Sequence, residues 1–409
     1  MSGFPCEILD HIVDLLHDSQ AYGQIPLDLR NCCLISKSWI PRTRRHLFAE
    51  IHFRTQKNLE SWKKTFPDPS TSPARYAKFL WIGCPQVVMA EGAGTGGWIP
   101  SFSSVKHLEL GGQDVDARGW EVVFALFHGF SPAIKSLCMN MSLLPFPRFF
   151  DLVLSFPLLE DLAIFDCHDA LIDNDGDSDV LDMPTAVQPS SVPVFTGTLD
   201  LHLEGGPVGA VINWLLSPPG GIHFRKLTFS WFCEEDIPLT MALMEECSHT
   251  LESLYICCDL SGTSIGHHIR MGSLFLFLDG PRSTSFTLSK ATKLRDVTIR
   301  PGSRRVEWIT VVLQTVGHEH RDLLRVSIEA SPALTIIPDY IFPDVGRAVG
   351  EGILEQWLDL DRLLLHLWQT RSIRSSVMRV RTGSKADFVD CIGCLLPEIT
   401  KRGMIDLVG

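Results

Sequence analysis

Gly262-Thr263-Ser264-Ile265-Gly266 has the Gly-x-Ser-x-Gly spacing of a nucleophile elbow. Its chemistry would be acyl transfer through a serine hydroxyl. It requires a strand running straight into a sharp turn and then a helix. Here Asp259, Leu260 and Ser261 come first and His267-His268 follow in polar sequence, so the stretch reads as a loop. Asp173-Asn174-Asp175-Gly176-Asp177-Ser178-Asp179 suggests calcium. An EF-hand loop needs glycine at its sixth place and a bidentate glutamate at its twelfth, which Ser178 and Pro184 occupy. Cys391-Ile392-Gly393-Cys394 is a single Cys-x-x-Cys, whereas zinc needs a second pair or suitably spaced histidines. His318-Glu319-His320 does not have the i, i+4 histidines of a helical zinc motif. Glu91 through Gly97 is glycine-rich but has no Lys-Ser/Thr to cradle a phosphate. No cofactor or metal is expected, and catalysis through Ser264 is the enzymatic alternative to a binding function.

The composition favours binding. The chain has 409 residues, 45% hydrophobic and 21% charged, which is ordinary for globular proteins and against wholesale disorder. Its net charge of −12 repels phosphate backbones unless cations are concentrated. The tight cluster Arg42, Arg44 and Arg45 is expected to be a solvated helix face, so no nucleic-acid partner is expected. No apolar run approaches the length of a membrane span. The first residues carry Glu7, Asp10 and Asp14 where a signal peptide needs basic and then uncharged ones. The expected location is therefore intracellular, cytoplasmic or nuclear, with the twelve cysteines as small core hydrophobes in a reducing compartment.

Residues 4–16 predict an amphipathic helix, with Pro5 suited to its first turn. Ile8, Ile12 and Leu15 form one apolar stripe, and Leu9, Val13 and Leu16 form another beside it. A helix this wide in apolar surface can pack on its own domain with one side and on a second molecule with the other. A second apolar segment spans Leu27–Ile35, and Pro41 opens a third helix ending at His46-Leu47-Phe48. Three helices in fewer than fifty residues give a marginal core, stabilised when a partner covers the exposed face.

Phe4-Pro5-Cys6-Glu7-Ile8-Leu9, with Ile12 and Leu16, followed by Cys32-Cys33-Leu34-Ile35-Ser36-Lys37-Ser38-Trp39, resembles the F-box, with Phe4 in place of the usual leucine. Pro41 through Phe48 is similar to the ending of F-box proteins from mushroom-forming fungi, the basidiomycete type. The resemblance covers about 45 residues. It implies docking onto the Skp-type adaptor, and through it a cullin, of an SCF-type ubiquitin ligase. By the same resemblance, Phe4, Pro5, Ile8, Leu9 and Ile12 would enter the adaptor's apolar groove.

Further along, an apolar-x-x-apolar-x-apolar triplet recurs. It stands at Ala77/Leu80/Ile82, Val105/Leu108/Leu110, Ile134/Leu137/Met139, Leu159/Leu162/Ile164, Phe224/Leu227/Phe229, Leu251/Leu254/Ile256, Leu294/Val297/Ile299 and Leu323/Val326/Ile328, with a weaker copy at Thr196/Leu199/Leu201. Six of the eight steps between copies are 25 to 29 residues, near the leucine-rich-repeat period. Helical spacing lies between them at Trp120/Val123/Phe124/Phe127, Phe149/Leu152/Val153/Phe156, Val208/Val211/Ile212/Leu215 and Ile309/Val312/Leu313/Val316, and more sparsely at Ile237/Met241/Met244. Strand and helix alternating at a steady period bury their faces against their neighbours. Only the copy at 159–167 carries the Asn/Cys of the full repeat, as Cys167. The expected fold is therefore α/β: a small N-terminal three-helix F-box followed by an irregular leucine-rich-repeat-like solenoid with a parallel sheet. A generic α/β domain is the alternative architecture.

The expected organisation is a helical module at 1–50, a linker or connecting helix at 51–75, and a repeat domain at 76–409. Two surface loops, 168–195 (acidic and proline-rich) and 260–290 (rich in Gly and Ser), interrupt the repeats. A helix over Ile353–Leu367, another over Phe388–Ile399 and a strand at Met404–Val408 would form the terminal cap that such a stack requires. The expected function is a non-catalytic substrate-recognition subunit of an SCF-type ubiquitin ligase, holding a target protein that the sequence does not name. The alternative is an interaction scaffold working outside ubiquitin ligation.

Overall fold

A computed structural model describes residues 6–18, 27–35, 37, 39–83, 98–112, 130, 133–141, 143–144, 146–165, 168–169, 193–202, 208–217, 221–230, 237–257, 286–300, 306–330, 343–370, 373–380 and 395–408. Three helices lead: α1 Cys6–Asp18, α2 Leu27–Ile35 and α3 Ile40–Leu47. Glu7 places negative charge in the first turn of α1, and Pro41 begins α3 where a missing N–H costs little. Val13, Leu29, Cys32 and Thr43 are buried between them. Thr43 satisfies its hydroxyl inside α3, donating to the Trp39 carbonyl at 2.8 Å.

By contact density the chain divides into two compact units, Met1–Val194 and Phe195–Gly409. In the first, strands β1 Glu50–Phe53, β2 Phe79–Ile82, β3 His107–Gly112, β4 Ser136–Met141 and β6 Asp161–Phe165 pair in parallel, each beside the one before it. A short separate ladder joins β5 Leu143–Leu144 to β7 His168–Asp169. The crossover between β4 and β6 carries α5 Phe146–Leu154. Its Phe149, Leu152 and Val153, with Phe156 just beyond, are buried as their spacing predicts.

The second unit repeats this plan. Strands β8 Thr198–His202, β9 Lys226–Ser230, β10 Ser253–Cys257, β11 Asp296–Arg300, β12 Arg325–Ala330, β13 Ser375–Val380 and β14 Ile405–Val408 form one parallel ladder in chain order. Helices α6 Val208–Leu216, α7 Ile237–Glu246, α8 Val306–Gln314, α9 Pro343–Gln369 and α10 Pro397–Lys401 lie between the strands in the chain. Both units are leucine-rich-repeat-like α/β stacks.

The register explains the triplets. Leu80, Leu108, Leu137 and Leu162 occupy one cross-strand row and Ile82, Leu110, Met139 and Ile164 the next, all buried. Leu199, Leu227, Leu254, Val297 and Val326 form the equivalent row in the second unit. Alternate strand residues face the helices, so the two apolar positions two apart fall on one side of the sheet. The third apolar residue, three positions earlier, closes the core below each strand.

The structure refines the expected boundaries. The sheet begins at Glu50, not at 76, so residues 51–75 hold most of β1 and the turn Pro73–Tyr76 as well as a connecting helix, α4 Gln56–Thr65. The cause is a further triplet, Phe48/Ile51/Phe53, whose last two members pair with Leu80 and Ile82. At the weak copy, Phe195 is buried and Thr196 only half-buried, so the core residue lies one position earlier. β13 carried no triplet because Ser376 occupies the place opposite Val326. The final helix is described only as Pro397–Lys401, since 381–394 lie outside the described residues. The closing strand forms at Ile405–Val408.

Candidate docking faces

On α1 the two apolar stripes separate as their spacing requires. Val13 is 1% exposed, while Ile8, Ile12 and Leu15 are 48%, 39% and 54% exposed. Leu34 on α2 is 84% exposed. Four large apolar side chains on one small module are therefore left to water, and their removal from it would drive association. Of the residues assigned to the adaptor, Ile8 and Ile12 stand on this face. Phe4 and Pro5 lie outside the described residues, as does the side chain of Leu9. Leu15 was missing from that assignment, although its i+7 spacing from Ile8 already placed it on the same stripe.

Asp14 fixes the orientation of α1. It accepts hydrogen bonds from Arg42 Nε at 2.8 Å and Arg42 Nη2 at 2.5 Å, and its Oδ1 lies 2.7 Å from His46 Nε2. The Arg42 bonds, opposed by burial and aided by His46, bring the carboxyl down to a pKa of about 2. Arg42 is therefore an interhelical tie and not part of a solvated face. Arg44 and Arg45 are exposed as expected.

An aromatic seam joins this module to the first strands. Trp62 of α4 lies 5.9 Å from Phe48, 5.8 Å from Phe53 and 4.6 Å from Phe66. Trp98 lies 5.7 Å from Phe53 and 5.4 Å from Phe102. Thr55 and Asn58 cap α4 reciprocally, at 3.3 and 3.1 Å.

The outward residues of the strands form the second candidate surface. In the first unit His52, Trp81, Glu109, Cys138 and Ala163 share one row. In the second unit much of this side is covered: Thr228, Ser230, Cys257, Ser327 and Glu329 are all buried. Tyr255 reaches across from β10 to donate its hydroxyl to Glu329 on β12 at 3.1 Å.

The Ser264, Asp173–Asp179, Cys391/Cys394 and Glu91–Gly97 segments lie outside the described residues, as does most of the acidic and glycine-rich loops. His318 has a side chain 96% exposed, whereas His320 is buried with Nε2 2.8 Å from the Leu288 carbonyl. Among the described residues no group of His, Cys, Asp and Glu is placed to hold a metal. Cys32, Cys33 and Cys247 are free thiols. Burial raises the Cys247 pKa to about 12, which makes it an inert core residue. No helix among the described residues is long and apolar enough to cross a membrane.

No family model matches the chain, and no curated protein matches it. Among solved structures it is similar to the leucine-rich repeat-containing protein LegL7 from Legionella pneumophila. That match has 11% identity, covers 81% of this chain and 96% of the other, and has a TM-score of 0.38. The repeat architecture here rests on the strand register itself.

Proposed function

We propose that the chain is a substrate-receptor subunit of an SCF-type ubiquitin ligase. Residues 1–50, an F-box by resemblance, bind a Skp-type adaptor and through it a cullin, and the repeats hold a target protein. The single observation that carries this reading is the stripe Ile8, Ile12 and Leu15, exposed on the segment that resembles the F-box. A helix face entering an apolar groove draws most of its energy from a few buried anchors. The subunit performs no bond chemistry. It accelerates transfer by proximity, converting a bimolecular encounter into a local one.

The test is a pull-down with a Skp-type adaptor. Wild type should capture it, and Ile8→Asp combined with Ile12→Asp should not. Equal capture by both refutes the assigned face. Adaptor capture without cullin recruitment favours a scaffold outside ubiquitin ligation.

A further inference from the structure

Three neighbouring strands of the first unit place His52, Trp81 and Glu109 side by side on the outward face. The Trp81 indole lies against the sheet over two glycines. A Cβ on Gly83 would sit 2.9 Å from its Cη2, and one on Gly111 would sit 3.4 Å from its Nε1. Glycine at both positions makes the room that the ring occupies. The Trp81 indole N–H stands beside the Glu109 carboxyl and, with His52, favours its charged form. The His52 ring lies 6.0 Å from Trp81 and 5.3 Å from Phe79.

Glu109 is half-buried, and burial raises its pKa, with His52 as the charge that opposes this. Among the described residues no Lys or Arg forms an ion pair with it. A partly desolvated carboxylate with no cationic partner retains strong acceptor capacity on its lone pairs. Aromatic faces attract cations, and this one already does so: the Arg54 guanidinium lies 5.9 Å from the Trp81 ring centroid. The net charge of −12 steers basic partners toward the chain.

The geometry points to a docking site for a lysine or arginine side chain of a partner protein, its cation held between the Glu109 carboxylate and the Trp81 and His52 rings. This deepens the target-holding half of the proposed function, and rests on it only in naming the occupant a target. Glu50, 3.9 Å from His52, adds a second acid at the margin. Arg54 and His52 are the groups that would instead favour an acidic segment.

The full chain is titrated with two end-blocked peptides, Gly-Ser-Arg-Gly-Ser and Gly-Ser-Glu-Gly-Ser. The readout is the Trp81 indole N–H resonance, assigned by its loss in Trp81→Phe. The arginine peptide should shift it saturably below about 10 mM, and the glutamate peptide should not. Glu109→Gln, which keeps the size of the side chain and removes its charge, should weaken the arginine peptide about five-fold or more. No shift with arginine, a shift with glutamate, or equal affinity in Glu109→Gln overturns the proposal. The measurement needs no adaptor, so its failure and that of the ligase reading are separately visible.

Discussion

Asp14 on α1 holds Arg42 on α3 through both carboxylate oxygens, across 28 residues of chain. The depressed carboxyl gives this tie a defined pH dependence. A group with a pKa of about 2 in the fold and an ordinary value of 3.8 stabilises fully above about pH 4. The contribution declines as the pH falls through that window. Asp14→Asn should abolish this dependence and loosen α1 by about 1 kcal/mol, the upper range for a partly exposed pair. Amide hydrogen exchange over residues 6–18, compared at neutral pH and at pH 3, checks both.

Ile8→Ala and Ile12→Ala should each cost about 1–3 kcal/mol in adaptor affinity while leaving the thermal midpoint within about 1 °C. Both side chains are already largely in water in the free chain, so folding loses little. Calorimetric titration alongside thermal denaturation separates the two effects.

Leu254 in β10 is fully buried between Leu227 and Val297. Leu254→Ala should destabilise the second unit by about 2–5 kcal/mol through lost burial and a cavity. Thr298→Ala, on the outward side of the next strand, should fall within about 0.5 kcal/mol. Hydrogen exchange in β9–β11 under mild denaturant distinguishes them.

Asp361, buried in α9, accepts from the backbone N–H of Glu398 at 2.9 Å and of Ile399 at 3.1 Å. It caps α10 from a different helix. Asp361→Ala should cost about 1–2 kcal/mol by leaving those donors unpaired. The expected result is faster exchange over 397–401 and in β14, with β9 and β10 unchanged.

The repeat core was legible because each triplet states a strand face and a closing residue in one string. Leu108, Leu137 and Leu162 were placed correctly from spacing alone. Phe48/Ile51/Phe53 shows the same string, but it abuts the three-helix module, where an apolar residue serves either neighbour. Ser376 concealed β13, since a small polar residue in an inward row interrupts an apolar pattern without preventing backbone pairing. The outward sheet surface was not legible. His52, Trp81 and Glu109 are far apart in sequence and meet only through parallel register, which spacing along one strand does not encode. Arg42 misled for a related reason: a charge run does not reveal which member a partner on another helix will claim.

α3 ends at Leu47 and β1 opens at Glu50. The aromatic seam around Trp62 packs Phe48 at that junction, so the last leading helix is tied directly to the first repeat. Whatever grips those helices sets the bearing of the adjoining strands as well. A cargo seated near Trp81 would therefore be carried at a fixed angle and reach, like a load bolted to a bracket rather than hung from a rope.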